Sequence, residues 1–219
     1  EQVAPELVAA LETHGADADV VVSVLKCFGL FSLHDPSILT MVSHGVTPWV
    51  VHATGMHKEH AALLRTAVEL FGNLGAAEDD ELDEKCTAYL VDGGAVDAIG
   101  AILDACRSHI DGDALALIGA CFDALYNLAN NKNAAAAVVD AGLCEACVHC
   151  ARVYDTCHDL VVQAMKLIGV LTFDAGAVRL LSKCGAAAVL ADALRSRLVG
   201  CSTATALSTT ALILGLVVQ

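Results

Sequence analysis

A chain of 219 residues that is 56% hydrophobic and only 4% aromatic is too apolar for intrinsic disorder and long enough for one domain or two small ones. Twelve Lys and Arg against 26 Asp and Glu leave a formal net charge of −14, which argues against a surface built to neutralise phosphates, and hence against nucleic-acid binding. Only three prolines and a pervasive helical period exclude a linker or a collagen-like chain.

Taken in chain order, the elements are all helical. No segment sustains the period-two alternation of a half-buried strand. The clearest helix is His158–Phe173, where Leu160, Val161, Ala164, Leu167, Ile168 and Leu171 follow the i, i+3, i+4, i+7 spacing of one buried face. Breaks fall at polar or glycine-containing clusters such as His109–Asp113 and Gly200–Ser202. Two landmarks recur. Gly45, Gly94, Gly142 and Gly185, each expected to end one short helix and open another, are spaced 49, 48 and 43 residues apart. The second landmark is a short helical run ending at Phe31, Leu74, Leu128, Leu171 and Leu214, with spacings of 43, 54, 43 and 43. Two landmarks near one period predict an internal repeat. The longer spacings have local causes, an acidic insertion over Glu78–Glu84 and a lengthened turn over Cys106–Asp113.

After each glycine the pattern is G-x-Φ-x-x-Φ-x-x-Φ, with Φ apolar. One instance is Gly94, then Val96, Ile99 and Ile102. Glycine permits the positive φ needed where one helix stops and the next starts. The spacing then builds a single buried stripe.

These residues, with Ala141-Gly142 and the run Ala124-Leu125-Tyr126-Asn127-Leu128-Ala129, resemble the armadillo repeat, a family of three-helix units. Pro5 and Pro48 fall where the family often carries proline, in the first turn of the second helix, where a missing N–H costs little. HEAT repeats are the near alternative. The resemblance spans the whole chain and implies a right-handed α-solenoid of about five units, near 1-35, 36-77, 78-130, 131-173 and 174-219. In that register residues 4–12 are the second helix of the first unit and residues 203–217 the third helix of the last. A first unit without its first helix, and a last helix without a polar cap, predict a fragment or ends covered by a partner.

Candidate chemistry is weighed against that register. Cys144, Cys147, His149 and Cys150, with Cys157 and His158 nearby, have zinc-like spacing. The three thiols, however, occupy the Φ positions of Val96, Ile99 and Ile102 one unit earlier, so they are expected in the core. His52, His57 and His60 are expected to be unrelated surface imidazoles, and Glu78–Glu84 a solvated loop or a patch for a basic partner. Cys157 and His158 are adjacent on a helix and diverge, so they form no nucleophile–base pair. No hydrolase elbow, P-loop or dinucleotide fingerprint occurs, so neither catalysis, a metal nor a cofactor is expected.

The resemblance implies instead that the third helices line a concave groove for a peptide or helical segment of a protein partner. Asn73 and Asn127 match the family asparagines that bond an extended peptide, with Leu30, Val170 and Ile213 in their place in the other units. Four residues earlier, where import receptors of this family carry tryptophan, stand Lys26, Glu69, Asp123, Lys166 and Thr209. A nuclear-import role is therefore not expected, and a line of Lys, Glu, Asp and Lys would suit a partner of alternating charge. The groove residues are thus Lys26, Glu69, Asn73, Asp123, Asn127 and Lys166. Trp49 is expected to pack on a neighbouring unit.

The ten cysteines, mostly inside apolar helical runs, together with an opening Glu1-Gln2-Val3 that has no basic leader region, predict free thiols and a cytoplasmic, reducing location. The uncharged stretch Leu198–Gln219 carries Ser, Thr, Gln and Gly and is expected to be a buried helix of a soluble fold rather than a membrane span. The expected function is a non-catalytic adaptor; the alternative is a targeting or regulatory segment of a larger multidomain protein, whose catalytic domain would lie elsewhere.

Overall fold

A computed structural model describes residues 3–77, 79–107 and 112–197. Among the described residues there are thirteen α-helices and no strand. They run α1 (Val3–His14), α2 (Ala18–Phe31), α3 (Asp35–Ser43), α4 (Val46–Met56), α5 (Ala61–Leu74), α6 (Asp80–Asp92), α7 (Ala95–Cys106), α8 (Gly112–Ala129), α9 (Lys132–Asp140), α10 (Leu143–Val153), α11 (His158–Leu171), α12 (Ala175–Cys184) and α13 (Ala186–Arg197).

Two kinds of helix start recur along the chain. Several helices that follow an open loop begin on a side-chain cap, which satisfies N–H groups that have no partner inside the helix, whereas α3 and α11 start without one. Asp17 accepts from the N–H groups of Asp19 and Val20, Asp79 from Leu82, Asn131 from Asn133 and Asp174 from Ala177. By contrast α4, α7 and α10 have no side-chain cap. Each is entered through a glycine in the left-handed region, Gly45 (φ 76°), Gly94 (φ 83°) and Gly142 (φ 72°), and Gly185 (φ 80°) does the same between α12 and α13. These are the four glycines singled out by their spacing, and the described residues contain no other positive φ. Pro5 and Pro48 both lie in first helical turns, as expected.

The packing repeats every three helices. α1 packs on α4, α4 on α7, α7 on α10 and α10 on α13. A second row runs α2, α5, α8, α11, and a third runs α3, α6, α9, α12. The architecture is therefore all-α with repeat-like helical packing. Equivalent positions carry equivalent burial. Phe28, Phe71, Leu125 and Ile168 open the second landmark and all have no exposed surface. On the glycine-led helices Thr47, Val50 and Ala53 align with Val96, Ile99 and Ile102 and with Cys144, Cys147 and Cys150, and all nine are buried.

The acidic run differs from its expectation as a loop. Asp79 caps α6, and Asp80, Glu81 and Asp83 fill its first turn. Carboxylates are favourable there because the helix N-terminus carries partial positive charge. Residues 203–217, expected to form a further helix, and the whole stretch 198–219 lie outside the described residues. No single helix among the described residues is long and apolar enough to cross a membrane.

The two glycine types should respond oppositely to alanine. Gly142 has open space around a Cβ but a φ of 72°, so Gly142→Ala should cost about 1–2 kcal/mol in urea unfolding. Gly29 lies inside α2, also with open space around a Cβ and no positive φ, so Gly29→Ala should stabilise by about 0.5–1 kcal/mol. Equal effects at both positions would contradict the corner role.

Candidate peptide-binding cleft

The row α2, α5, α8, α11 positions most of the candidate residues. Its tightest seam lies between α5 and α8. A Cβ on Gly72 would stand 3.1 Å from the Ala124 Cα, so a larger residue there would require α8 to give way by a few tenths of an ångström. Above that seam a cleft of about 250 Å³ is lined by residues that include Arg65, Glu69, Asn73, Asp123, Asn127 and Gln163, over a floor of Val68, Gly72 and Ala124. Four of the six groove residues read from the sequence therefore meet in one cavity. Lys26 on α2 and Lys166 on α11 are exposed and lie outside it.

The two asparagines differ. Asn127 is half-buried and donates its amide N–H to the Gly72 carbonyl at 3.1 Å, tying α8 to α5 across 55 residues of sequence. Asn73 is exposed, and its side chain makes no hydrogen bond among the described residues. Both of its amide N–H groups and its carbonyl are free to meet an extended backbone. The carboxylates are each half-engaged. Glu69 accepts from the Arg65 Nε at 2.8 Å, one turn away on the same helix. Asp123 accepts from the Gln163 Nε2 at 2.7 Å, which couples α8 to α11. Sequence reasoning missed Arg65 and Gln163. Arg65 stands one turn before Glu69 and was legible as an i,i+4 pair. Gln163 needed the register between helices, which no local pattern supplies.

The alternative chemistries resolve into structural roles. Cys144, Cys147 and Cys150 are 0–1% exposed, as expected for core positions. Burial pushes the Cys144 and Cys150 thiols up to about 11 and those of Cys121 and Cys147 well above the usual thiol range. Such thiols are neutral, neither nucleophiles nor good metal ligands. No cluster of three metal-ligating side chains occurs among the described residues. The three histidines are not equivalent surface groups. His57 bonds the Gly15 carbonyl at 2.7 Å, closing a contact between the α4 end and the α1–α2 turn. The His60 Nδ1 accepts from the Leu63 N–H and caps α5. His52 is exposed and lies edge-on to Trp49, with ring centroids 5.7 Å apart. Trp49 is half-buried against the core.

Three measurements follow from these placements. Asn127→Ala should lower stability by about 1 kcal/mol by removing the tie to Gly72, whereas Asn73→Ala should change it by less than about 0.5 kcal/mol. Alkylation of the folded chain at pH 8 should modify the half-buried Cys27, Cys157 and Cys184 while sparing the buried Cys86, Cys121 and Cys147 until the chain is unfolded. The pH dependence has a definite sign. A thiol whose folded pKa lies above its unfolded value favours folding fully while both states are protonated, so stability should fall as pH rises from about 9 to about 11. A pH-independent unfolding midpoint over that range would contradict the burial.

No protein-family model matches the chain, and no curated protein matches it. Among solved structures it is similar to a crystal structure of an engineered protein, a Northeast Structural Genomics Consortium target. The two chains are 17% identical with a TM-score of 0.52, over 99% of this chain and 97% of that one. At that identity the likeness concerns the fold alone.

Proposed function

We propose that this chain is a non-catalytic interaction scaffold of the armadillo type. In this reading it is a right-handed α-solenoid of about five three-helix units, near 1-35, 36-77, 78-130, 131-173 and 174-219. The row α2, α5, α8, α11 forms the concave side, and an extended segment of a protein partner lies across it in a reducing, cytoplasmic environment. One observation carries the reading: Asn73 projects an uncommitted amide into a cleft lined by three helices of one row, α5, α8 and α11. An exposed amide costs nothing to leave solvated, yet it supplies donors and an acceptor for a peptide backbone at the moment of binding. The packing period of three helices, and its coincidence with left-handed glycine corners, support the armadillo assignment.

The test compares pull-downs from native cytosol by the unaltered chain, by Asn73→Arg and by Asp97→Arg, an exposed residue of α7 outside the cleft. Circular dichroism should show all three equally folded. A partner lost only with Asn73→Arg is the expected outcome. A partner retained equally by Asn73→Arg would move the function to another surface.

A further inference from the structure

The row that lines the cleft carries a second pattern, and it runs across the helices rather than along them. At one level α2, α5, α8 and α11 present Lys26, Glu69, Asp123 and Lys166, all exposed. One turn further on they present Leu30, Asn73, Asn127 and Val170. The loops that follow the two outer helices then carry Leu33 and Phe173. Among the described members of the row, the first and last are therefore cationic and apolar, and the two between them anionic and amide-bearing.

The apolar side chains at the flanks are unusual in their exposure. Phe173 is 91%, Leu33 77% and Leu30 71% exposed, and these three exceed every other large hydrophobic side chain among the described residues. The corresponding positions after α5 and α8 hold Ala76 and Asn130. Scattered exposed hydrophobics need no explanation, but the most exposed three, confined to the first and last described helices of this row and the loops behind them, offer two apolar contact points. The carboxylates between them also have free capacity. Glu69 uses one oxygen on Arg65 and Asp123 one on Gln163, which leaves an oxygen on each for an incoming cation.

Resting on the groove reading above, we infer that the occupant is an extended segment of a partner protein with basic residues at its centre and an apolar residue on either side. The central cations meet Glu69 and Asp123, and the apolar residues seat on Leu30 and Leu33 at one end and on Phe173 at the other. Acidic residues beside the anchors meet Lys26 and Lys166. The spacing is set by geometry. Packed helices stand about 8–10 Å apart, so three steps from α2 to α11 cover about 24–30 Å. An extended chain advances about 3.3 Å per residue, so the two anchors are about seven to nine residues apart.

Panning a phage library of random sixteen-residue peptides against the folded chain tests this, with fluorescence polarisation of the enriched peptides as the readout. The expected peptides carry Lys or Arg at the centre and apolar residues about seven to nine apart. Their affinity should drop about tenfold or more with Glu69→Lys or Asp123→Lys, and by a similar factor with Leu30→Ser or Phe173→Ser. Every substituted side chain is exposed, and each variant is checked by circular dichroism. Peptides that lose binding with Asn73→Arg but lack the basic centre or the two anchors would overturn this inference and leave the groove reading standing. Peptides indifferent to Asn73→Arg, or no enrichment at all, would overturn both.

Discussion

One backbone constraint organises the molecule. At Gly45, Gly94, Gly142 and Gly185 the chain turns within a single left-handed residue, and the helix behind each turn starts without a side-chain cap. A side chain there would cost about 1–2 kcal/mol, so the four positions are restricted in a way their neighbours are not. Because the corner has no length to spare, the direction of the following helix is dictated by the preceding one. Repeating the corner repeats a sharp bend, 59° between α6 and α7 and 75° between α9 and α10, and helices three apart in sequence come to lie against each other.

Burial then does the rest. An isolated unit of two or three short helices leaves one apolar face open, and stacking closes it. The Φ positions behind each glycine show how permissive this closure is. Valine and isoleucine serve in α7, cysteine in α10 and threonine in α4, all buried. Different side chains fill the stripe, and the Thr47 hydroxyl among them is buried with no hydrogen-bond partner among the described residues. That is why three cysteines at metal-like spacing are simply core here, with thiols held neutral by the absence of water.

Packing also divides the polar residues of the central row into two jobs. Asn127 and Gln163 reach across seams and hold α8 to its neighbours. Asn73 does not, although it occupies the same place in its own helix. A side chain engaged in the fold gives up only part of its capacity to a partner, whereas an unengaged one offers all of it. The candidate site is thus a stretch of surface where the structure leaves hydrogen-bonding capacity and charge unspent. That is what a scaffold without moving parts would need.

Much of this was legible in the sequence, because it depends on local chemistry repeated at a fixed period. The helical class follows from apolar spacing. The corners follow from glycines at similar separations, since no other residue adopts that φ as cheaply. The burial of the cysteines follows from their alignment with valine and isoleucine. The acidic run was misplaced as a loop because its cap, Asp79, looks like any other acid in a run of acids. What only the tertiary structure decided concerns distances between helices. The close approach at Gly72 and Ala124, the bond from Asn127 to Gly72 and the separation of Lys26 and Lys166 from the cleft all depend on how neighbouring helices settle. Those contacts join residues 40 or more apart in sequence, as in the bond from Gln163 to Asp123. A periodic pattern states which face of a helix is buried. It does not state how closely the next helix comes, and that distance separates an asparagine that braces the fold from one left free to bind.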